Sequence, residues 1–430
     1  MRLSRDSIVE RFHSYGGEAQ LIGGEFERLV VHADGRPLEY DEPQGVRWLL
    51  EQLADRFGWE PQMENGQPIA LLRAGASTTL EPGGQVELSG RPHETVLGVA
   101  EEAMASMGEL RTLFDGTDVH LVALGLTPYA RIADIRFVPK GRYALMGPYL
   151  AQRGDMAHHM MKGTSSFQAN FDFRDEADCA KKVDMLTALA PLTTAMFANS
   201  PVAEGRDTGL ASTRALSWTR CDPDRCGVPP VLRDGYTHEA WVDYLLDVPM
   251  MFLKSEGAWA DPQGRTFRTW MDRGIDGTLP TWDDWSLHET SVFPEVRVKR
   301  TIEVRGADAC PLPIALGGIA LWTALLYDER ALDEAGQLAR EFASVGTHNE
   351  RFMAAVERGL HADVGRPYAD WARDLVAIGA AGLGRSRPSE RALLEPIEAM
   401  TTHGDHPGVA VSRIFAECTS PARCLRRVLY

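Results

Sequence analysis

The chain lacks the two commonest sequence marks of nucleotide binding. No G-x-x-x-x-G-K-[ST] run occurs and no G-x-G-x-x-G follows a strand-like segment, so neither a Walker loop nor a Rossmann fingerprint is present. G-x-S-x-G and H-E-x-x-H are missing too, which removes the nucleophile elbow and the two-histidine zinc helix. The longest mainly apolar stretch, residues 311–327, is short and interrupted by glycine and proline, so no membrane span is expected. The first fourteen residues are charged, lack an apolar block and do not read as a signal peptide. Basic residues are in deficit: 45 Lys and Arg stand against 61 Asp and Glu, a net charge of −16. That balance opposes binding to nucleic acid or to an anionic membrane, although it leaves room for a local cationic pocket. The six cysteines are scattered, which reads as reduced thiols in a cytoplasm. Only Cys221 with Cys226 and Cys418 with Cys424 are near in sequence, and a zinc site wants tighter pairs.

What is present is ordinary globular composition, 44% hydrophobic and 25% charged, over 430 residues. That length allows two or three domains or one large α/β unit. The informative stretch is Leu80–Gly90. Gln85, Glu87 and Ser89 alternate with Val86 and Leu88, which gives one polar and one apolar face. Glu81 stands at its mouth, before a Pro-Gly-Gly turn that lets backbone approach a ligand closely. Three further segments share this pattern. Leu21–Val31 sets Glu25 and Glu27 on one face; Phe167–Phe173 sets Gln168, Asn170 and Asp172 opposite its aromatics; Lys299–Arg305 sets Lys299, Thr301, Glu303 and Arg305 opposite Ile302 and Val304. Carboxylates side by side on strands repel, and a cation between them removes that penalty. Oxygen and amide donors without sulfur suit a hard ion such as Mg²⁺ or Mn²⁺. The plainer reading of any one such strand is a half-exposed edge; four together predict a sheet with a metal-lined polar face.

Between these strands, apolar spacing predicts helices over 42–57, 93–114 and 176–199, the last bent at Pro191, and a hairpin around Asn65-Gly66. From 313 onward helices are expected at 313–327, 330–343, 348–360 and 367–380, with a loose connection around one short helix over 384–408. Lys140 and Arg142 flank a glycine before a helical stretch, where they could hold phosphate oxygens or simply be solvated. Arg214, in the irregular 203–236 segment, is a candidate carboxylate clamp, with a surface role as the alternative. His158 and His159 are neighbours on one helix and point different ways, so they read as packing or surface residues.

These segments, with Phe197–Pro201, Ser212–Trp218, Tyr244–Met250 and Phe293–Asp308, resemble the glutamate–cysteine ligase family, most closely its plant-type branch, which also occurs in bacteria. The resemblance implies a glutamine-synthetase-like α+β fold: a curved, mainly antiparallel sheet forming a metal and nucleotide cavity, with helices outside. It implies use of ATP and Mg²⁺ (Mn²⁺ as an alternative) to phosphorylate the γ-carboxylate of glutamate, followed by attack of the cysteine amine. By resemblance Glu25, Glu27, Glu81, Glu87 and Glu303 hold metals, with Gln168 where some relatives use histidine and Asn170 assisting. Arg305 faces the transferring phosphate. Arg214 grips a substrate carboxylate, Trp218 forms part of the amine pocket, and Lys140 and Arg142 contact the nucleotide. Residues 1–380 are expected to form the catalytic domain and 381–430 a helical, loose extension. The cysteines do not match the positions used for redox control in plant members, and no plastid extension is seen. A monomer or homodimer acting on small molecules is expected. A ligase with a different amine acceptor and a silent binding protein are the competing readings; intact acids and Arg305 oppose the second.

Overall fold

The structure is a computed structural model that describes residues 3–255 and 257–429; positions 1, 2, 256 and 430, including the outermost ends of the two expected segments, lie outside it. Its centre is β1 (Ile22–His32), where Ile22, Gly24 and Phe26 are buried and Glu25 and Glu27 are half-buried on the opposite face. The other strands of its sheet are β2 (Glu60–Glu64), β3 (Gln67–Arg73), β4 (Ala76–Leu80), β5 (Val86–Ser89), β6 (Val119–Val122), β7 (Phe167–Phe171), β8 (Val296–Val298) and β9 (Ile302–Val304). The order is β8-β9-β7-β1-β5-β4-β3-β2, with β6 on the far half of β1, and every one of these pairings is antiparallel.

Register does the work of assembling the polar face. Glu27 lies opposite Glu87, and Glu25 lies between Ser89 on β5 and Gln168 on β7. Thr79 lies opposite Glu87, and Asn170 opposite Glu303. Because side chains alternate with a period of two, these in-register residues share one face, and a one-residue slip would bury the acids in the apolar layer.

The apolar face is covered by helices. Helix Val96–Phe114 lies so close to β1 that a Cβ on Gly24 would stand 2.6 Å from a Val99 methyl, so only glycine admits this packing. Helix Leu312–Tyr327 packs on β7, with Trp322 stacked on Phe167 at 5.4 Å. Helix Glu176–Met196 packs on β8 and β9, and helices Glu329–Ala343, His348–Arg358 and Tyr368–Ser386 lie outside these two helices. No helix among the described residues is long and apolar enough to cross a membrane.

The expected helices and the Asn65-Gly66 hairpin are present. Two strands differ. Residues 299–305 are not one strand but the end of a hairpin: Lys299–Thr301 turn between β8 and β9, closed by Lys299 N–H donating to Thr301 O at 3.0 Å. Leu80–Gly90 is likewise a turn followed by β5, with Glu81 N–H donating to Gln85 O at 2.9 Å and Gly84 at φ +90°. The loose connection expected over 384–408 is corrected: Pro388–Leu394 and Glu395–His403 are helical, as are Pro407–Glu417 and Pro421–Leu425. Leu394 and Ile397 are fully buried, and Val411, Leu425 and Val428 share a small core with Leu29, Val31 and Val122. The Arg, Ser and Pro content that reads as loop instead supplies short helix starts, with proline in the first turn of each. Leu394→Ala should lower unfolding free energy by about 2–5 kcal/mol in urea denaturation; a cost below about 0.5 kcal/mol would return this segment to the loose state.

Candidate active site

A cavity of about 480 Å³ stands on the polar face of the sheet. Its floor carries Glu25, Glu27, Thr79, Glu87, Ser89 and Gln168; its walls carry Glu81, Lys140, Arg142, Arg214, Trp218 and Arg305. Ten of the expected site residues therefore converge from segments as far apart as positions 25 and 305. Asn170 and Glu303 do not line it. They stand behind it, Asn170 donating to Glu25 Oε1 at 2.7 Å and Glu303 bound by cations.

At one end the charges are negative and crowded. Glu27 accepts from the Ser166 backbone N–H at 2.6 Å and from Gln168 Nε2 at 3.1 Å, and Glu87 accepts from Thr79 Oγ1 at 2.6 Å. These bonds do not offset the environment. Burial, followed by the charges of Glu81 and Glu87, pushes the Glu27 carboxyl up to about 8. Burial, then Glu303 and Glu87, pushes Glu25 up to about 7. Glu87 is raised as well, by burial and then by Glu81. Facing them, Lys140 donates to the Leu80 carbonyl at 2.7 Å, and burial, with Arg142 next, lowers it to about 8. Arg142 lies over the Tyr143 ring at 5.2 Å. The Gly83-Gly84 turn that carries Glu81 sits against the helix Ala157–Gly163: a Cβ on Gly83 would meet the Lys162 carbonyl at 2.2 Å.

At the other end the charges are positive. Arg297 grips Glu303 with two parallel bonds of 2.7 and 2.9 Å, Lys299 reaches it at 3.3 Å, and Arg305 binds both Glu303 and Gln168. Burial alone would raise the Glu303 carboxyl, but these three cations hold it well below the usual carboxylate range. One carboxylate thus serves three cations that all line the cavity. Arg214 is drawn inward, its Nη atoms donating to the carbonyls of Arg305 and Gly306 at 3.0 and 3.3 Å, while its Nε has no partner among the described residues. Asp308, which accepts from Ser200, Ser212 and the Asn199 N–H, supports that position 3.7 Å from Arg214.

Several lining residues escaped the sequence reading. Arg297 lies in the short run before the Lys299 turn, where the spacing carried no charge pattern. Glu64 stands at the tip of the β2–β3 hairpin and accepts from Gly141 N–H and from Trp259 Nε1 at 3.1 and 2.8 Å, which ties three separate segments at the rim. Met146, Met160, Met161, Met251, Phe252 and Trp259 give that side an apolar lining. Among the described residues, no three His, Cys, Asp or Glu side chains stand at metal-ligand spacing around one point. The all-oxygen donor set and the repulsion that raises Glu25, Glu27 and Glu87 nevertheless fit a hard divalent cation, since such an ion would relieve that repulsion.

Comparison with known proteins places this geometry. The sequence matches the Glutamate-cysteine ligase family 2 (GCS2) over residues 21–417. It is 36% identical over 417 residues to the chloroplastic glutamate–cysteine ligase of Brassica juncea, covering 94% of this chain and 80% of that one. It is 35% identical over 404 residues to the chloroplastic enzyme of Arabidopsis thaliana, covering 92% and 76%. The fold is similar to that of the glutamate–cysteine ligase of Francisella tularensis solved with AMP, at a TM-score of 0.57 and 15% identity, over 95% of this chain and 88% of that one. A bifunctional glutathione synthetase from Pasteurella multocida is similar at a TM-score of 0.52 and 13% identity, over 98% and 52%. The chain belongs to the glutamate–cysteine ligase family 2.

Proposed function

We propose that the cavity on the polar sheet face is where this chain carries out its ligation. As a family member the protein is an ATP-dependent ligase that joins the γ-carboxylate of glutamate to the amine of cysteine, the first step of glutathione synthesis. The observation that carries the assignment to this cavity is its polarity: crowded carboxylates at one end, three cations sharing one carboxylate at the other.

The reaction needs that separation. In the first step a γ-carboxylate oxygen of glutamate attacks the terminal phosphorus of ATP, and the bond to the bridging oxygen breaks to leave ADP. In the second, the amine attacks the acyl carbon of γ-glutamyl phosphate; the C–O bond breaks, phosphate leaves, and the amine's proton is lost. Both steps gather anionic oxygens that must be neutralised together. Arg305, with Arg297 and Lys299 beside it, would neutralise the transferring phosphoryl group and the leaving phosphate. Lys140 and Arg142 would hold the nucleotide phosphates, and the Met251, Phe252 and Trp259 side would take the base. Arg214, whose Nε is unpartnered, would hold a substrate carboxylate, with Trp218 beside the amine substrate. Glu25, Glu27, Glu81 and Glu87, with Gln168, would hold Mg²⁺, which supplies charge neutralisation when bound. Asn170 would orient Glu25. Glu303 would act chiefly by holding Arg297 and Arg305 in place, since both its oxygens are already engaged. A reducing, cytoplasmic setting agrees with the six cysteines, all free.

Glu87→Gln removes one buried like charge and leaves the fold. Turnover of ATP, glutamate and cysteine should fall at least about 100-fold, while thermal stability of the metal-free protein at pH 7.5 should equal or exceed that of the parent. Near-normal phosphate release would remove Glu87 from the site. Glu303→Gln should behave differently. Three buried cations lose their anion, so stability should drop by about 3–5 kcal/mol with little change in Mg²⁺ requirement. A raised Mg²⁺ requirement at unchanged stability would instead make Glu303 a metal ligand.

The raised carboxyls also set a pH dependence. Glu25 and Glu27 titrate near 7 and 8 when folded but in the ordinary range near 4.5 when unfolded, so the folded metal-free protein holds protons that the unfolded chain releases. Their contribution is full below the unfolded value and is lost as pH rises through 7 to 8. Glu303, depressed, acts in the opposite sense only below the ordinary carboxylate range, and Lys140 only above about 8. Burial holds His288, His348 and His406 down to about 4, so they raise stability with pH only up to the ordinary histidine range. The melting temperature of metal-free protein should therefore fall between pH 7 and 8, and added Mg²⁺ should flatten that slope. A slope unchanged by Mg²⁺ would separate these acids from metal binding.

A further inference from the structure

The tip of the β2–β3 hairpin is built to one geometry. Asn65, at φ +50°, and Gly66, at φ +77°, make a two-residue turn whose twist matches the strands it joins, and Glu64 pairs with Gln67 across it. Glu60, Pro61, Gln62 and Met63 are exposed along β2; Glu64 alone on that strand is half-buried. It is covered because its carboxylate meets two other segments at the cavity rim. One oxygen, Oε1, accepts from the Gly141 backbone N–H at 3.1 Å and from the Trp259 indole N–H at 2.8 Å. Hydrogen bonds to an ionised acceptor are stronger than neutral ones, and this acceptor is shared by donors from two distant parts of the chain.

Each donor belongs to a segment that walls the cavity. Gly141 lies between Lys140 and Arg142, two cations of that wall. Trp259 lies on a two-strand ribbon, Leu253–Ser255 with Ala258–Ala260. Its ring meets Phe252 edge-on at 5.4 Å, and Lys254 Nζ stands 5.4 Å from the ring centre. Among the described residues the ribbon is a sheet of its own, so no ladder ties it to β2 or β3. The three groups are in close contact. A Cβ on Gly141 would stand 2.4 Å from Trp259 Cδ1 and 2.7 Å from Glu64 Oε1, so only glycine lets backbone, indole and carboxylate meet. One carboxylate oxygen thus joins the hairpin, the ribbon and the 140–142 segment where strand pairing does not.

We propose that Glu64 is a positioning residue for the ligation: it sets Lys140 and Arg142 against one part of the nucleotide and Trp259 against another, without touching the reacting atoms. This rests on the reading that gives Lys140 and Arg142 the nucleotide phosphates and the Met251, Phe252 and Trp259 side the base. Gly141 and Trp259 are fixed to the same oxygen, so the phosphate-binding cations and the base-binding ring keep a constant separation. Without that oxygen the ribbon and the 140–142 segment move independently, and the nucleotide must order both as it binds. Affinity for nucleotide then falls, while the chemistry at Arg305, at the other end of the cavity, is kept.

The test uses the full chain and the variants Glu64→Ala, Glu64→Gln and Gly141→Ala, with Arg142→Gln as the control for the nucleotide reading. In protein without substrates, Glu64→Ala should speed amide hydrogen exchange about tenfold or more in peptides covering 138–143 and Ala258–Ala260, and leave peptides from β1 and β7 unchanged. The KM for ATP should rise about fivefold or more, with kcat and the KM for glutamate within about twofold of the parent. Gly141→Ala, which opens the same contact from the other side, should do likewise. Glu64→Gln keeps an acceptor oxygen and should bring both readouts back to within about twofold of the parent. Unchanged exchange in the two segments overturns the proposal. So does a fall in kcat with a rise in every KM, which is the mark of general destabilisation, and so does a Glu64→Gln variant that recovers nothing. An Arg142→Gln enzyme with the parent's KM for ATP sinks the nucleotide reading and this proposal with it. A raised KM in Arg142→Gln beside an unchanged one in Glu64→Ala sinks this proposal alone.

Discussion

Repulsion among carboxylates held side by side on one sheet face is the constraint on which the rest of this structure depends. Glu25, Glu27 and Glu87 are raised together because burial and their neighbours' charges act in the same direction. Such a cluster persists only where the surrounding fold over-determines it. Here the over-determination is visible in the layers behind it. Antiparallel partners fix the register on both sides of β1, Gly24 lets a helix lock against its back, and Trp322 and Phe167 clamp the neighbouring strand. Stability is concentrated in the apolar layers, and the polar face is left with charges that only a ligand set can satisfy.

The opposite end of the cavity solves the reverse problem. Three cations would repel one another if Glu303 were absent, and its carboxylate pairs with all three. The difference between the two ends is one of completeness. The cation cluster carries a counter-charge of its own, whereas like charges crowd the acid cluster. On the function proposed for this cavity, a transferring phosphoryl group would meet a preorganised cationic end and an acidic end suited to an ion.

How much of this could be read in the chain itself follows from the geometry. Polar alternation in Leu80–Gly90, Leu21–Val31 and Phe167–Phe173 was legible because a period of two survives any register. That Glu27 meets Glu87, or that Asn170 meets Glu303, was not legible from the residues, since pairing depends on strand order. Arg297 was missed because a three-residue strand is too short to establish a period, and Glu64 because a hairpin tip reads as solvent-exposed until Trp259 is brought to it. Glu303 looked like a fifth metal acid on one polar strand; that the turn at Lys299–Thr301 sets Arg297 and Lys299 beside it was not legible. The final fifty residues misled for a simpler reason. Proline and serine mark helix starts as readily as loops, and only burial of Leu394 and Leu425 separates the two.

The sheet order has a temporal consequence. The strand bearing Glu25 and Glu27 emerges first during synthesis, yet its neighbour at Phe167–Phe171 lies well over a hundred residues downstream, and the strand bearing Glu303 lies further still. Loop closure over such separations is slow and comes late. No early fragment of the nascent polypeptide can therefore bring the carboxylate floor and the cation cluster together. The cavity is complete only when the chain past Arg305 has left the ribosome, so its closure reports on finished assembly.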